Sequence, residues 1–260
     1  MSNYKVCWLT LCFNEMDILP FVKQYWERIG CDVVVFDNGS TDGSIEFLSV
    51  LPYVTVKHFD SDGQNDIIQK QVKEQAYLEF KDKYDIIIIS DMDEVFYFND
   101  FKALSEAFIS GGYNVLATPI FSLCEDSKPP YMEDKLLHQQ CHKFYKQRMN
   151  HMLGFDTYSK LSIFNTKITD KVNMSVGQHI VNTLPQMRVM ISNNGFCLHI
   201  DKGLSKEFFV NKRMKMGANL SDVNKRSGMC IEYLKSKEEL EKEYDEKQKN
   251  AFDLNKCLVF

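Results

Sequence analysis

Apolar residues run in short blocks through the first half of the chain, with polar turns between them. Lys5–Cys12 is an apolar run of the kind a parallel strand buried on both faces shows. Ile18, Leu19, Val22, Tyr25, Trp26 and Ile29 then recur at helical spacing, with Pro20 early enough for a first turn and Gly30 as a natural stop. Asp32–Phe36 reads as a second buried strand, Ile45–Leu51 as a helix and Tyr53–Phe59 as a third strand. Asp66–Lys81 reads as a helix, Tyr84–Ser90 as a strand with four consecutive Ile, Asp100–Ile109 as a helix, and Asn114–Ser122 as a fifth strand. Strand and helix in alternation with short connections predict a doubly wound α/β sheet. Ligands of such sheets bind in the crevice at the carboxyl ends of the strands.

The second half is less regular. Residues 123–158 carry two consecutive prolines and scattered His and Lys, with little period, as a functional segment or lid does. Lys160–Phe164 and Met187–Ser192 read as strands, and Asn193-Asn194-Gly195 reads as a hairpin-type turn into Phe196–Ile200. Leu204–Asn219 reads as a helix, and residues 235–249 as a charged helix with a solvated face.

Composition narrows the class. The chain has 260 residues, 44% hydrophobic, enough to bury a large core. Only 12 Gly and 6 Pro exclude a fibrous or low-complexity chain, and 13% aromatics exclude a disordered one. A net charge of −5 gives no sign of a nucleic-acid partner. No run approaches the roughly 18 apolar residues of a membrane span, and the N-terminal apolar run is short for a signal peptide. A cytoplasmic protein is the expectation. The eight cysteines contain no Cys-x-x-Cys and sit in apolar runs, so they read as buried thiols. The one sharper group is His138, Cys141 and His142, a partial zinc pattern that would need a distant ligand such as Cys124.

The chemistry concentrates after the apolar strands. Asp91-Met92-Asp93-Glu94 follows Ile86–Ile89 directly, and such a strand has no packing reason to end in three carboxylates. Asp91 and Asp93 share a side if the chain stays extended, and like charges that close call for a cation. A hard divalent ion suits a ligand that brings phosphates.

With these residues in hand, the first 125 residues resemble a family 2-type glycosyltransferase of the GT-A fold. The resemblance rests on Leu9–Glu15, on Asp37-Asn38-Gly39-Ser40-Thr41-Asp42-Gly43-Ser44, and on Asp91-x-Asp93. Gly177-Gln178-His179 and Cys197-Leu198-His199 resemble, more loosely, a bacterial and viral branch of that group. The resemblance implies a Rossmann-like, mostly parallel sheet with helices on both faces. Residues 1–125 would be the nucleotide-sugar and metal half, and 126–260 an irregular acceptor-binding half of the same domain. It implies that Thr10, Asn14, Glu15, Asp37, Ser40, Asp42 and Asp91 line the nucleotide pocket. Asp91, Asp93 and His199 would hold Mn²⁺ or Mg²⁺, with imidazole favouring manganese. The donor would be a nucleotide-sugar, a UDP-sugar first among them, and the acceptor a saccharide or a lipid-linked one. Inversion of configuration would require a general base, for which His179, Asp156 and Glu125 are candidates, with Asp126 beside Glu125. The Gln-x-x-Arg-Trp pattern of processive synthases is absent.

Basic residues of the second half, Lys143, Lys146, Arg148 and Lys160, suit a diphosphate or an anionic acceptor. Residues 202–226 hold seven Lys or Arg against Glu207 and Asp222, which suits an anionic acceptor or a peripheral contact with the inner membrane face. Three other readings compete, one of them a sugar nucleotidyltransferase, which would need a Gly-rich loop after strand one where Phe13-Asn14-Glu15 has no glycine. Asp91-x-Asp93-x-Val95 also fits a haloacid dehalogenase-type phosphatase, although that motif normally opens its fold. A nucleotide-sugar-binding protein without turnover is the non-enzymatic alternative.

Overall fold

The computed structural model describes residues 3–146, 159–175, 181–184, 187–192, 194–200 and 203–257. In chain order the elements begin β1 (Val6–Cys12), α1 (Leu19–Ile29), β2 (Asp32–Asp37), α2 (Ser44–Ser49), β3 (Val54–His58), α3 (Asp66–Phe80) and β4 (Ile86–Asp91). They continue with β5 (Glu94–Phe98), α4 (Phe101–Ser110), β6 (Val115–Leu123), a short α5 (Leu137–Gln140) and β7 (Phe144–Lys146). The second half adds β8 (Ser159–Asn165), β9 (Lys171–Met174), β10 (Val181–Leu184), β11 (Val189–Ile191) and β12 (Gly195–His199). It ends with α6 (Lys206–Ala218), α7 (Asp222–Ser227), a 3₁₀ turn (Ile231–Leu234), α8 (Lys237–Lys249) and α9 (Leu254–Cys257).

The main sheet runs β3-β2-β1-β4-β8-β6-β12-β5. β1 to β4 are mutually parallel, β8 is antiparallel to both β4 and β6, β12 is parallel to β6, and β5 closes the edge antiparallel to β12. The protein is therefore α/β, with a mostly parallel sheet flanked by helices. The strand order reverses between β1 and β4, the point where such sheets open a ligand crevice. β8 sits between β4 and β6, so the second half of the chain completes the sheet begun by the first.

Local chemistry explains the boundaries. Gly30 ends α1 in the left-handed region, at φ 72°, with its N–H on the carbonyl of Trp26. Asn65 and Asp100 cap α3 and α4 by accepting from the N–H groups of Ile68 and Ala103. One sheet face packs Trp8, Trp26, Leu48, Phe96 and Phe108 under α1, α2 and α4. The other packs Leu9, Tyr77, Phe80, Ile87 and Phe164 under α3 and the β9–β10 ladder.

Three expectations change. Glu94–Phe98 is a strand, not part of a turn, because β12 supplies it with a partner. β11 and β12 do not form a hairpin. Both run parallel to β6 one after the other, at Val189↔Val115 and Cys197↔Ile120. The charged helix α8 is not only a solvated face. It buries Leu240 and Tyr244 against Cys124, Phe209 and Val210, and the Tyr244 hydroxyl donates to the carbonyl of Glu125 at 2.6 Å.

That small third core fixes α6 across the carboxyl ends of the central strands. α6 also meets the 3₁₀ turn so closely that a β-carbon on Gly217 would run into the carbonyl oxygen of Tyr233. Gly217→Ala is expected to cost about 1–3 kcal/mol, the usual range for forced overpacking, read as a lower urea midpoint at unchanged slope.

Candidate active site

A cavity of about 400 Å³ opens at the ends of β1 and β4. Leu11, Cys12, Phe13 and Glu15 come from β1 and its loop, Asp91 to Glu94 from the β4–β5 turn, and His199 from β12. Lys212, Arg213 and Met216 of α6 and Met229 to Tyr233 close it from above, and Asn38, Phe59, Gln64, Asp66 and Gln69 from the β2 and β3 side.

The acidic turn is held by its backbone. Leu11 and Asp91 are register partners in adjacent strands. Met92 is buried in the core, and Asp91 and Asp93 flank it on the cavity wall. The Ile200 N–H donates to the carbonyl of Asp93 at 2.7 Å, and His199 is the register partner of Glu94. As a result, the Asp93 carboxylate and the His199 imidazole lie 3.6 Å apart.

The neighbouring carboxylates are tied to lysines. Lys73 reaches across from α3 to Asp91 at 2.7 Å. Burial works to raise the Asp91 pKa, but the charges of Lys73 and Lys160 hold it below the usual carboxylate range. Glu94 and Lys160 form a fully buried ion pair at 2.6 Å. Burial alone would lower the Lys160 pKa, and the facing Glu94 and Asp91 raise it. Glu15 pairs with Lys212 across the cavity mouth. None of these three pairs could be found from spacing, because each joins residues far apart in sequence.

The expected site residues divide into two groups. Glu15, Asp91, Asp93 and His199 converge on the cavity. Asn14, Asp37, Ser40 and Asp42 build the loop beside it. Asp37 is buried and accepts from the N–H groups of Gly39 and Ser40 at 3.0 and 3.2 Å. Ser40 accepts from the Asn14 N–H, and the Asn14 side chain accepts from Thr41 at 2.7 Å. Burial opposes ionisation of Asp42, yet hydrogen bonds from Ser44 and the Met16 N–H leave its pKa lowered. Asn14 and Asp42 line a second cavity of about 760 Å³ on the far side of α6. Thr10 is buried in the sheet and lines neither cavity.

Among the general-base candidates, Glu125 lines neither cavity and instead accepts from the N–H groups of His142 and Lys143, both at 2.6 Å. Asp126 pairs with Lys143 at 2.7 Å. His179, Asp156 and Arg148 lie outside the described residues.

The partial zinc pattern is not assembled. His138 is buried among Tyr25, Tyr97 and Phe196, with its Nδ1 hydrogen-bonded to the Tyr25 hydroxyl at 3.0 Å. His142 turns outward toward Asp253 at 3.5 Å. Among the described residues no three His, Cys, Asp or Glu side chains are placed to hold one metal ion. The described cysteines are free thiols, with Cys12 and Cys124 pushed up to about 12, chiefly by burial.

Burial, with Arg28 nearby, pushes the His138 pKa down to about 4. The unfolded chain therefore binds the extra proton first as pH falls. The stability His138 withholds is expected to be complete above pH about 6.5 and to drain by about 3 kcal/mol as pH falls toward 4. Urea midpoints between pH 4 and 7 check this, with His138→Gln flattening the slope.

Three cations of the basic run over 202–226 are paired or buried. Lys206 pairs with Asp245 at 2.5 Å, Lys212 with Glu15, and Arg213 is buried against the Phe209 and Tyr233 rings. Among the described residues no helix is long and apolar enough to cross a membrane.

Comparison with known proteins adds little identity. No family model matches the chain, and no curated protein matches its sequence. Among solved structures, S. aureus TarS aligns at a TM-score of 0.47 and 14% identity, over 85% of this chain and 41% of that one. The chain thus spans about two fifths of that TarS chain. TarS 1–349 aligns at 0.47 and 12% identity, over 85% and 68%. A 4-diphosphocytidyl-2C-methyl-D-erythritol synthase aligns at 0.36 and 13% identity, over 64% and 77%.

Proposed function

We propose that this protein transfers a sugar from a nucleoside-diphosphate donor to an acceptor hydroxyl, with inversion, and that it needs a divalent cation. The observation that carries the reading is the Asp93–His199 pair, 3.6 Å apart in a cavity at the reversal point of the sheet. A carboxylate oxygen and an imidazole nitrogen at that separation fit two adjacent positions around one Mn²⁺ or Mg²⁺, leaving the others for a diphosphate. When bound, such an ion stabilises the charge that grows on the leaving diphosphate.

The chain's own groups do the rest. Asp93 and His199 would hold the ion. Asp91, fixed by Lys73, stays ionised at the edge of the cavity and is placed for a ribose hydroxyl or a metal-bound water. The buried Glu94–Lys160 pair braces the turn from below, so Lys160 serves the turn, not the diphosphate. The roof of α6 and the 3₁₀ turn covers the reacting centre from one side. The acceptor proton goes to a general base, His179 or Asp156 in this reading. A saccharide or lipid-linked acceptor, a cytoplasmic location and a peripheral membrane contact belong to the same proposal.

Thermal shifts with UDP-, GDP- and CMP-sugars, with and without Mn²⁺, test it. At least one diphosphate donor is expected to raise the melting temperature in Mn²⁺, and EDTA to remove the shift. Slow donor hydrolysis is expected alongside. Binding without hydrolysis or transfer would mark a binding protein, and no shift with any donor would overturn the reading.

A further inference from the structure

We infer that Lys212 is a diphosphate-reading residue, held by Glu15 until an anionic ligand takes it. The inference rests on the donor reading above and names a residue of the roof that the reading does not use.

The charge balance of the cavity asks for such a residue. Glu15, Asp66, Asp91, Asp93, Glu94 and Glu232 face or edge the cavity, against Lys160, Lys212 and Arg213. Lys160 is spent on Glu94 and is buried on all sides. The Asp91 charge is met by Lys73 from outside. A diphosphate entering this wall would meet an excess of carboxylates, and one cation at Asp93 and His199 offsets only part of it. The remaining positive charge must come from the roof.

Lys212 is the roof group placed to supply it. Arg213 is buried with its guanidinium 5.2 Å from the Phe209 ring centre and 4.7 Å from that of Tyr233, so packing fixes it. Lys212 is different. It lies on the wall shared by the 400 Å³ cavity and the 760 Å³ one, with Phe13, Asn38, Gln64 and Met216. Its ammonium pairs with the Glu15 carboxylate, on the loop that follows β1. That loop is rigidly placed, because the Glu15 N–H donates to the Ser44 hydroxyl and its carbonyl accepts from Ile18 and Leu19. A lysine is a compact point charge on a four-carbon stem, so it can exchange one anion for another by rotamer change alone. A diphosphate carries more charge than one carboxylate and offers more acceptor oxygens, so it outcompetes Glu15.

The roof itself does not have to open. Gln64 bonds by its backbone to Asn219 and Ser221, and Asp66 accepts from Cys230 and Asn224. These contacts hold the chain flanking α6 in place while Lys212 changes partner.

Calorimetric titration of UDP, GDP and CDP in Mn²⁺, each against its nucleoside, tests the inference on wild type, Lys212→Met, Lys212→Arg and Glu15→Gln. For the diphosphate that wild type binds best, Lys212→Met is expected to weaken binding roughly ten- to hundredfold, with the nucleoside unchanged. Lys212→Arg is expected to retain most of the affinity. Glu15→Gln, which removes the competing carboxylate, is expected to tighten the diphosphate. If Lys212→Met does not fold, Glu15→Gln and Lys212→Arg still decide. Wild-type diphosphate affinity in Lys212→Met, equal losses for nucleoside and diphosphate, or weaker binding in Glu15→Gln would overturn the inference. If wild type binds no diphosphate, the donor reading itself fails.

Discussion

Lys160→Met is expected to destabilise the protein by about 3–5 kcal/mol, because it strands a buried carboxylate. Lys160 enters from β8, between β4 and β6, and its ammonium lies 2.6 Å from Glu94 at the start of β5. Both side chains are below 5% exposed, so water is a poor substitute for the lost partner. The Glu94 backbone is tied in as well, since its carbonyl accepts from the Ser90 hydroxyl at 3.1 Å. Glu94→Gln is expected to cost less, because Asp91 still faces the lysine. The double variant Glu94→Gln/Lys160→Met is expected to recover much of the loss, since neither group is then a bare charge. Urea titrations of the four proteins close the cycle. Additive losses would show that the pair does not act as a unit. The sign with pH follows from the raised Lys160 pKa. Its contribution is complete below about 10.4, the value in an unfolded chain, and is lost as pH rises further.

Asp93→Ala is expected to lower donor turnover by roughly two to three orders of magnitude, with the fold intact. The side chain lines the cavity, and the backbone bond from Ile200 to the Asp93 carbonyl survives the change. What disappears is one of the two groups that would hold the cation. The Mn²⁺-dependent part of the donor thermal shift is therefore expected to vanish, while the melting temperature without ligand stays near that of wild type. His199→Ala is expected to act in the same direction. Its neighbours Leu198 and Ile200 are fully buried and keep β12 in place. Donor hydrolysis at wild-type rate in Asp93→Ala would remove this carboxylate from the reaction.

Much of the first half was legible because each element carries its own period. β1 to β4 are apolar blocks flanked by turn residues, and α1, α3 and α4 end at Gly or begin at Asn and Asp caps. The acidic turn after β4 was legible too, since charge at the end of four Ile has no packing reason. β5 was hidden because Glu94 belongs both to that acidic run and to the strand. Only the pairing of Glu94 with His199, more than a hundred residues on, makes the strand. α7 was missed because Asp222–Ser227 has no apolar face of its own. The Asn224 side chain, bonded to Asp66 on α3, gives it a place.

The site shows the same division. The expectation that Glu15, Asp91 and Asp93 gather in one crevice follows from residue type and strand position, that of His199 only from the family resemblance, and the structure places all four on one cavity. Glu125, expected as a base candidate, lies outside that cavity, and its carboxylate accepts from the backbone N–H groups of His142 and Lys143.

By itself the sequence determined the α/β class, the order of the first strands and helices, and the carboxylates that mark the crevice. These depend on local period and on charges out of place in an apolar run, which are properties of neighbours in the chain. Only the tertiary structure decided which lysine meets which carboxylate, Lys73 with Asp91, Lys160 with Glu94 and Lys212 with Glu15. It alone decided that α6 and the 3₁₀ turn roof the site. Ion pairs and roof contacts join residues brought close by burial of the sheet faces, and such closeness leaves no trace in spacing along the chain.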